Sequence, residues 1–259
     1  RQTRYAPVWN RLDGGILEHR PEIMLLAICG CLVINIAIPF IMCWIFAASS
    51  DSGSSSDSDS MKERFYFACG RGENDTVTQI LSTGFNADFE FRNGWTPLAY
   101  ASESGHLFIV RKLLSSGVNA SRRIRDSRTP LEIAAYHNHS DVVEELISVG
   151  ALVNQCDHDG KTALFAAAYV GNVAVIKMLV SAGVYVNHGD KQGITALHEA
   201  VIKDRVSAIS ELVLSGAHIN ADTKQGATPL NFACETGSLK SVRFLIKMGA
   251  LVNKATEKN

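Results

Sequence analysis

Six cysteines in 259 residues are too few and too scattered for a disulfide framework. Cys29, Cys31 and Cys43 share one apolar run, while Cys69, Cys156 and Cys234 stand singly. An excess of either charge is missing too. Lys+Arg number 25 against 26 Asp+Glu, a formal net charge of −1, so there is no general electrostatic case for binding nucleic acid. No glycine-rich phosphate loop, nucleophile elbow or pocket-forming carboxylate pair occurs. His137-Asn138-His139 and Cys156-Asp157-His158 are close pairs of metal-ligand types in the repeats, and neither has the spacing or the second half of a zinc site. These absences argue against an enzyme, and neither a cofactor nor a small-molecule substrate is expected.

What is present is a period. Thr96, Thr129, Thr162, Thr195 and Thr228 stand 33 residues apart, and Gly84, Gly117, Gly150, Gly183, Gly216 and Gly249 keep the same step. A unit of that length holds two short helices and a turn, cannot bury its apolar face alone, and must stack on copies of itself. Thr-Pro-Leu at 96–98, 129–131 and 228–230 supplies a hydroxyl N-cap and a proline at the first helical position. Alanine replaces that proline at 163 and 196, a change that keeps the cap. Ala101, Ala134, Ala167, Ala200 and Ala233 let successive inner helices approach closely. Val110 with Leu113, Val143 with Leu146 and Ile176 with Leu179 form i, i+3 pairs on one face of an outer helix. Each unit closes on a glycine suited to a left-handed C-terminal position.

Residues from about 60 to 259 resemble ankyrin repeats. Thr195-Ala196-Leu197-His198-Glu199-Ala200 and Gly216-Ala217-His218-Ile219-Asn220 lie nearest to that family's signature. The resemblance implies an all-α solenoid of six helix-turn-helix units that binds proteins through finger loops and the exposed side of its inner helices. It also implies a structural role for His198, bonding backbone within the stack. Glu63 replaces the threonine in the first unit, which reads as an N-terminal cap. Ala99 and Glu132 occupy the histidine position in the second and third units. The last outer helix, Lys240 to Ile246, is only half polar, so a partner or further repeats would cover it.

The register assigns columns. One finger column runs Trp95, Arg128, Lys161, Ile194, Ala227; two inner-helix columns run Glu103, Tyr136, Tyr169, Ile202, Glu235 and Ala99, Glu132, Phe165, His198, Asn231. Tyr136, Phe165, Tyr169 and Ile202 are therefore expected to cluster at the middle of the concave side, with Trp95 on a finger. Packing of the tyrosines between neighbouring inner helices is the alternative. Arg122, Arg123, Arg125 and Arg128 form a basic cluster that could meet an acidic partner or anionic headgroups, or be balanced by Asp126 and Glu132.

The remaining quarter is of another kind. Between an N-terminal arm (1–22) and an acidic Ser-rich linker (49–60), residues 23–48 carry no charge over 26 positions. As a helix that is about 39 Å, enough to cross a hydrocarbon core of roughly 30 Å as a single transmembrane helix. Asn35 is its one strongly polar residue, Pro39 can kink it, and Trp44, Trp9 and Tyr5 suit interfacial anchors. The linker's composition predicts a flexible tether whose serines are candidate kinase substrates. Arg1, Arg4, Arg11 and Arg20 precede the span and acids follow it, so the positive-inside bias places the repeats (61–259) across the membrane. Three sequons, at Asn74, Asn119 and Asn138, would meet glycosylation machinery on the secretory side. The mitochondrial inner membrane avoids that conflict, with the repeats in the intermembrane space. The arm, Arg20-Pro21-Glu22, Gly30 and Pro39 resemble small single-pass accessory subunits of respiratory complex I. The expectation is thus a membrane-anchored, non-catalytic accessory subunit or scaffold with protein partners in a membrane complex. The alternative is a tethered adaptor with cytosol-facing repeats that recruits a soluble partner through the concave face.

Overall fold

The computed structural model describes residues 57–92 and 94–253. The chain divides after Ser54 into two units, and every described residue belongs to the second. Six helix pairs follow one another there: α1 (Asp57–Arg71) with α2 (Asn74–Ser82), α3 (Pro97–Ser104) with α4 (Leu107–Ser115), α5 (Pro130–Tyr136) with α6 (Ser140–Ser148), α7 (Ala163–Val170) with α8 (Val173–Ser181), α9 (Ala196–Ile202) with α10 (Val206–Leu214), and α11 (Pro229–Glu235) with α12 (Leu239–Lys247). Among the described residues there is no strand beyond one isolated bridge between Gly189 and Thr195. Odd-numbered helices pack side by side in an inner row and even-numbered ones in an outer row, each pair also packing internally. The expected span at 23–48, the arm, and residues 49–56 of the linker lie outside the described residues. Among those described, no helix is long and apolar enough to cross a membrane. The last four residues of the Ser-rich stretch are helical, for α1 already starts at Asp57, where acidic groups suit a helix N-terminus.

The caps explain why these short helices begin where they do. Ala99 N–H donates to Thr96 Oγ1 and Glu132 N–H to Thr129 Oγ1, each at 3.1 Å, with proline next in both units. Thr228 and Asn231 exchange two bonds, Thr228 N–H to Asn231 Oδ1 (2.8 Å) and Asn231 N–H to Thr228 Oγ1 (3.3 Å). Thr162 departs from expectation: its hydroxyl is buried without a partner, because the Phe165 N–H bonds the Thr162 carbonyl instead (2.9 Å). Left-handed residues end the inner helices, glycine at 105 and 171 (φ 73° and 90°) but Asn138 and Asp204 in two units (φ 66° and 51°). Asn and Asp tolerate that region better than other side chains do.

Packing follows the period. The alanines at 101, 134, 167, 200 and 233 are fully buried, as are Val110, Leu113, Val143, Leu146, Ile176 and Leu179 on the outer row. Units are also stitched by polar bonds at fixed register. Asn154 Nδ2 donates to the Gly183 carbonyl (3.1 Å) while its Oδ1 accepts from Tyr185 N–H (2.7 Å). Asn187 repeats this one unit on, with Gly216 (2.9 Å) and His218 (2.7 Å). His106 Nε2 donates to the Gly70 carbonyl (3.1 Å) and His139 Nε2 to that of Glu103 (2.8 Å), tying the start of α4 to α1 and that of α6 to α3 in the unit before.

The two ends of the stack differ. The first unit exposes Asn74, Asp75, Thr78, Gln79 and Ser82 on its outer helix, a polar cap as expected. In the last unit, Leu239 is 70% exposed and Ile246 48%. Cys234 is exposed, whereas Cys69, Ser102, Ala135, Ala168 and Val201 at the same register are completely buried by the unit that follows each.

Candidate protein-binding face

Inner helices and finger loops together make one face, and the register brings three of the expected residues to its centre. The rings of Tyr136 (end of α5) and Tyr169 (end of α7) stack with centroids 5.6 Å apart and planes 29° from parallel. Lys203 Nζ lies 4.4 Å from the Tyr169 centroid, within range of a cation–π contact. Ile202 continues this column, half-buried and packed against the core. Burial raises the Tyr136 phenol above its ordinary pKa, the neighbouring Tyr169 adds to the effect, and Arg128 opposes it. Both tyrosines stay partly exposed, so packing against each other and availability to a partner hold together.

Trp95 and Arg128 form the second part. The Arg128 guanidinium sits 5.7 Å from the Trp95 ring centroid and bonds Asp126 Oδ2 at 2.7 Å. Trp95 also meets the Tyr100 ring edge-on and rests on a small buried cluster of Ala99, Ile124 and Ile133. Its side chain is half-buried, so the finger tryptophan is in part a packing residue. Arg128 acts electrostatically on Glu103, Glu132, Tyr136 and His137, which makes it the charge at the middle of the face.

Phe165 does not belong to this surface. It is 3% exposed, part of the main core, and covered by the ring of His188 from the next finger at 6.3 Å. Most of its column is tucked away: Ala99 and His198 are fully buried and Glu132 is 6% exposed, while Asn231 in the last unit is only partly buried. His198 has the structural role its family position implies, with Nδ1 accepting the Thr195 N–H at 3.1 Å. Burial lowers its pKa to about 4, opposed by the carbonyls of Ala227 and Ala221. Burial, then the charge of Asp157, raises Glu132 to about 8, with Arg128 opposing, and one carboxyl oxygen has no hydrogen-bond partner.

The four arginines expected as one cluster are dispersed. Arg122 clamps the preceding finger through Asp88 (2.9 Å) and Glu90 (3.4 Å). Arg123 Nε lies 2.6 Å from the Gln155 amide and donates to its oxygen once that amide is turned to the orientation its neighbours require. The stem of Arg125 lies over Gly94, and only Arg128 turns to the inner face. A tight turn centred on Ser127 points successive side chains in different directions. Sequence reasoning missed Lys203, the Asn154–Asn187 ladder and the His106–His139 column. The asparagines and the histidines recur at the 33-residue step, so their signal was there, whereas Lys203 has Val170 and Thr236 at its register positions and gave none. Among the described residues no group of three or more His, Cys, Asp or Glu could hold a metal. One shallow recess of about 470 Å³, lined by Arg123 and residues 151–155, includes none of the inner-face aromatics.

Proteins built on this scaffold are generally non-catalytic interaction modules. No curated protein matches the chain. The family model described as ankyrin repeats (3 copies) matches residues 44–124, 65–155, 117–190 and 182–256. Those overlapping matches run through every helix pair described above, and the chain belongs to the ankyrin-repeat family.

Proposed function

We propose that this chain is a membrane-anchored recognition subunit without catalytic activity, whose inner face holds a protein neighbour in the same membrane assembly. Membership of the family assigns protein–protein interaction to the repeats. The observation that carries the site is the Tyr136–Tyr169 stack, flanked by Lys203 and the Arg128–Trp95 pair. Tyr, Trp and Arg on a partly desolvated patch are the residue types that dominate interface energetics. The anchor rests on the uncharged run at 23–48.

The test is photo-crosslinking in native membranes. A photoreactive residue replacing Tyr136 captures a neighbouring protein, while one replacing Lys177, exposed on the outer row, does not. Tyr136→Ala with Tyr169→Ala then lowers capture about tenfold at unchanged helicity. Equal capture from both positions would refute the inner-face reading. The positive-inside bias supports repeats across the membrane from the arginine-bearing arm. Our proposal for the compartment is the mitochondrial inner membrane, tested by protease protection before and after rupture of the outer membrane. The acidic serine run favours a second reading, a tethered cytosolic adaptor. Phosphate at Ser54 or Ser56 that alters partner affinity would select it.

A further inference from the structure

The turn corners of the five described fingers carry Arg92, Arg125, His158, Lys191 and Lys224, one basic side chain every 33 residues, and all five are exposed. Backbone bonds hold neighbouring corners in register. Arg125 N–H donates to the Gly94 carbonyl (3.1 Å), Lys191 N–H to that of Asp159 (2.9 Å) and Lys224 N–H to that of Gln192 (2.9 Å). Little neutralises the row. Arg92 has one long ion pair with Glu63 (3.9 Å), and His158 bonds the Ser127 hydroxyl. Arg125, Lys191 and Lys224 make no ion pair among the described residues. The nearby acids are mostly engaged: Asp126 by Arg128, and Asp157 and Asp190 by backbone N–H groups of their own turns. Asp159 is the opposing charge at a corner and weakens the row at its middle.

We propose that this fingertip ridge, distinct from the Tyr136–Tyr169 face, binds an extended acidic segment of a partner protein with carboxylates at every third residue. Helices packed side by side lie roughly 8–10 Å apart, which sets the step from one finger to the next. An extended peptide in the polyproline-II conformation advances about 3.1 Å per residue with three residues per turn, so three residues span about 9.3 Å and return every third side chain to the same face, toward a basic corner. A nucleic-acid strand carries a charge about every 3.4 Å, so about two of every three of its phosphates would fall between corners without a basic partner.

Fluorescence anisotropy with two labelled peptides on the full chain in detergent tests this. Both have the same composition of Glu, Ser and Gly; one has a glutamate at every third position, the other has its glutamates contiguous. The spaced peptide is expected to bind about tenfold more tightly, and the combined Arg125→Gln, Lys191→Gln, Lys224→Gln variant to lose about tenfold in its affinity. All three side chains are exposed, so the variant keeps its helicity by circular dichroism. Equal binding of the two peptides, an unaffected variant, or equally tight binding of an oligothymidylate of the same charge would each overturn the proposal.

Discussion

Replacing Glu132 by glutamine isolates one buried carboxyl at the base of a finger. The folded state holds this group at a pKa of about 8 against the ordinary 4.5, first because it is buried and then because Asp157 is near. A raised carboxyl is neutral in the folded chain while the unfolded chain ionises above 4.5. Its contribution to stability is therefore complete below 4.5 and is lost as pH rises through 8. Each pH unit in that window is worth about 1.4 kcal/mol. His198 acts in the opposite direction: held near 4, it destabilises the fold as pH falls below its ordinary 6.5. The two slopes oppose each other between 4.5 and 6.5, so the pH range from 6.5 to 8 isolates Glu132 from His198. Across it the wild type should lose about 2 kcal/mol of stability, read from reversible urea melts followed by far-UV circular dichroism. Glu132→Gln keeps the shape and the polar atoms but does not titrate, so its melts should be nearly flat over the same range. Parallel slopes for the two proteins would refute the assignment of that charge burial to Glu132.

Further expectations concern caps, register and the open end of the stack. His198→Asn keeps an acceptor for the Thr195 N–H, as Asn231 does for Thr228, and should flatten the acid side of the stability profile at a packing cost of about 1 kcal/mol in urea melts. Asn187→Ala removes two bonds between units and should destabilise by about 1–3 kcal/mol, with hydrogen exchange rising first around Gly216 and His218. Cys234 should react with a thiol reagent in the native protein, whereas Cys69, fully buried and with its thiol pushed up by that burial, should react only on unfolding. Peptide mapping after labelling distinguishes the two.

Much of the fold was legible in the chain because each unit repeats a local solution. Threonine caps, proline at the first helical position and a left-handed residue at each helix end are contacts within a few residues, so spacing alone locates them. The exception at Thr162 is local too: the Phe165 N–H bonds the Thr162 carbonyl and not its hydroxyl, and Phe165 offers no polar side chain such as His198 offers to Thr195. Of the binding face, the Tyr136–Tyr169 stack and the Trp95–Arg128 contact were implicit in the register, since both pairs are 33 residues apart. Their half-buried state was not, because it depends on what the adjacent unit lays over them.

The sequence by itself determined the period, the number of helix pairs and the family, since identical spacing leaves a stacked solenoid as the arrangement that buries every apolar stripe. Only the tertiary structure decided which columns reach solvent. Phe165 and Tyr169 are one helical turn apart on the same side of α7, yet the next finger lies over the first and leaves the second partly open. Likewise the four arginines of one finger lie close along the chain but diverge in space, since the turn aims each at a different neighbour. Burial of a side chain depends on the unit stacked above it, and that information is not contained in the residues of the unit itself.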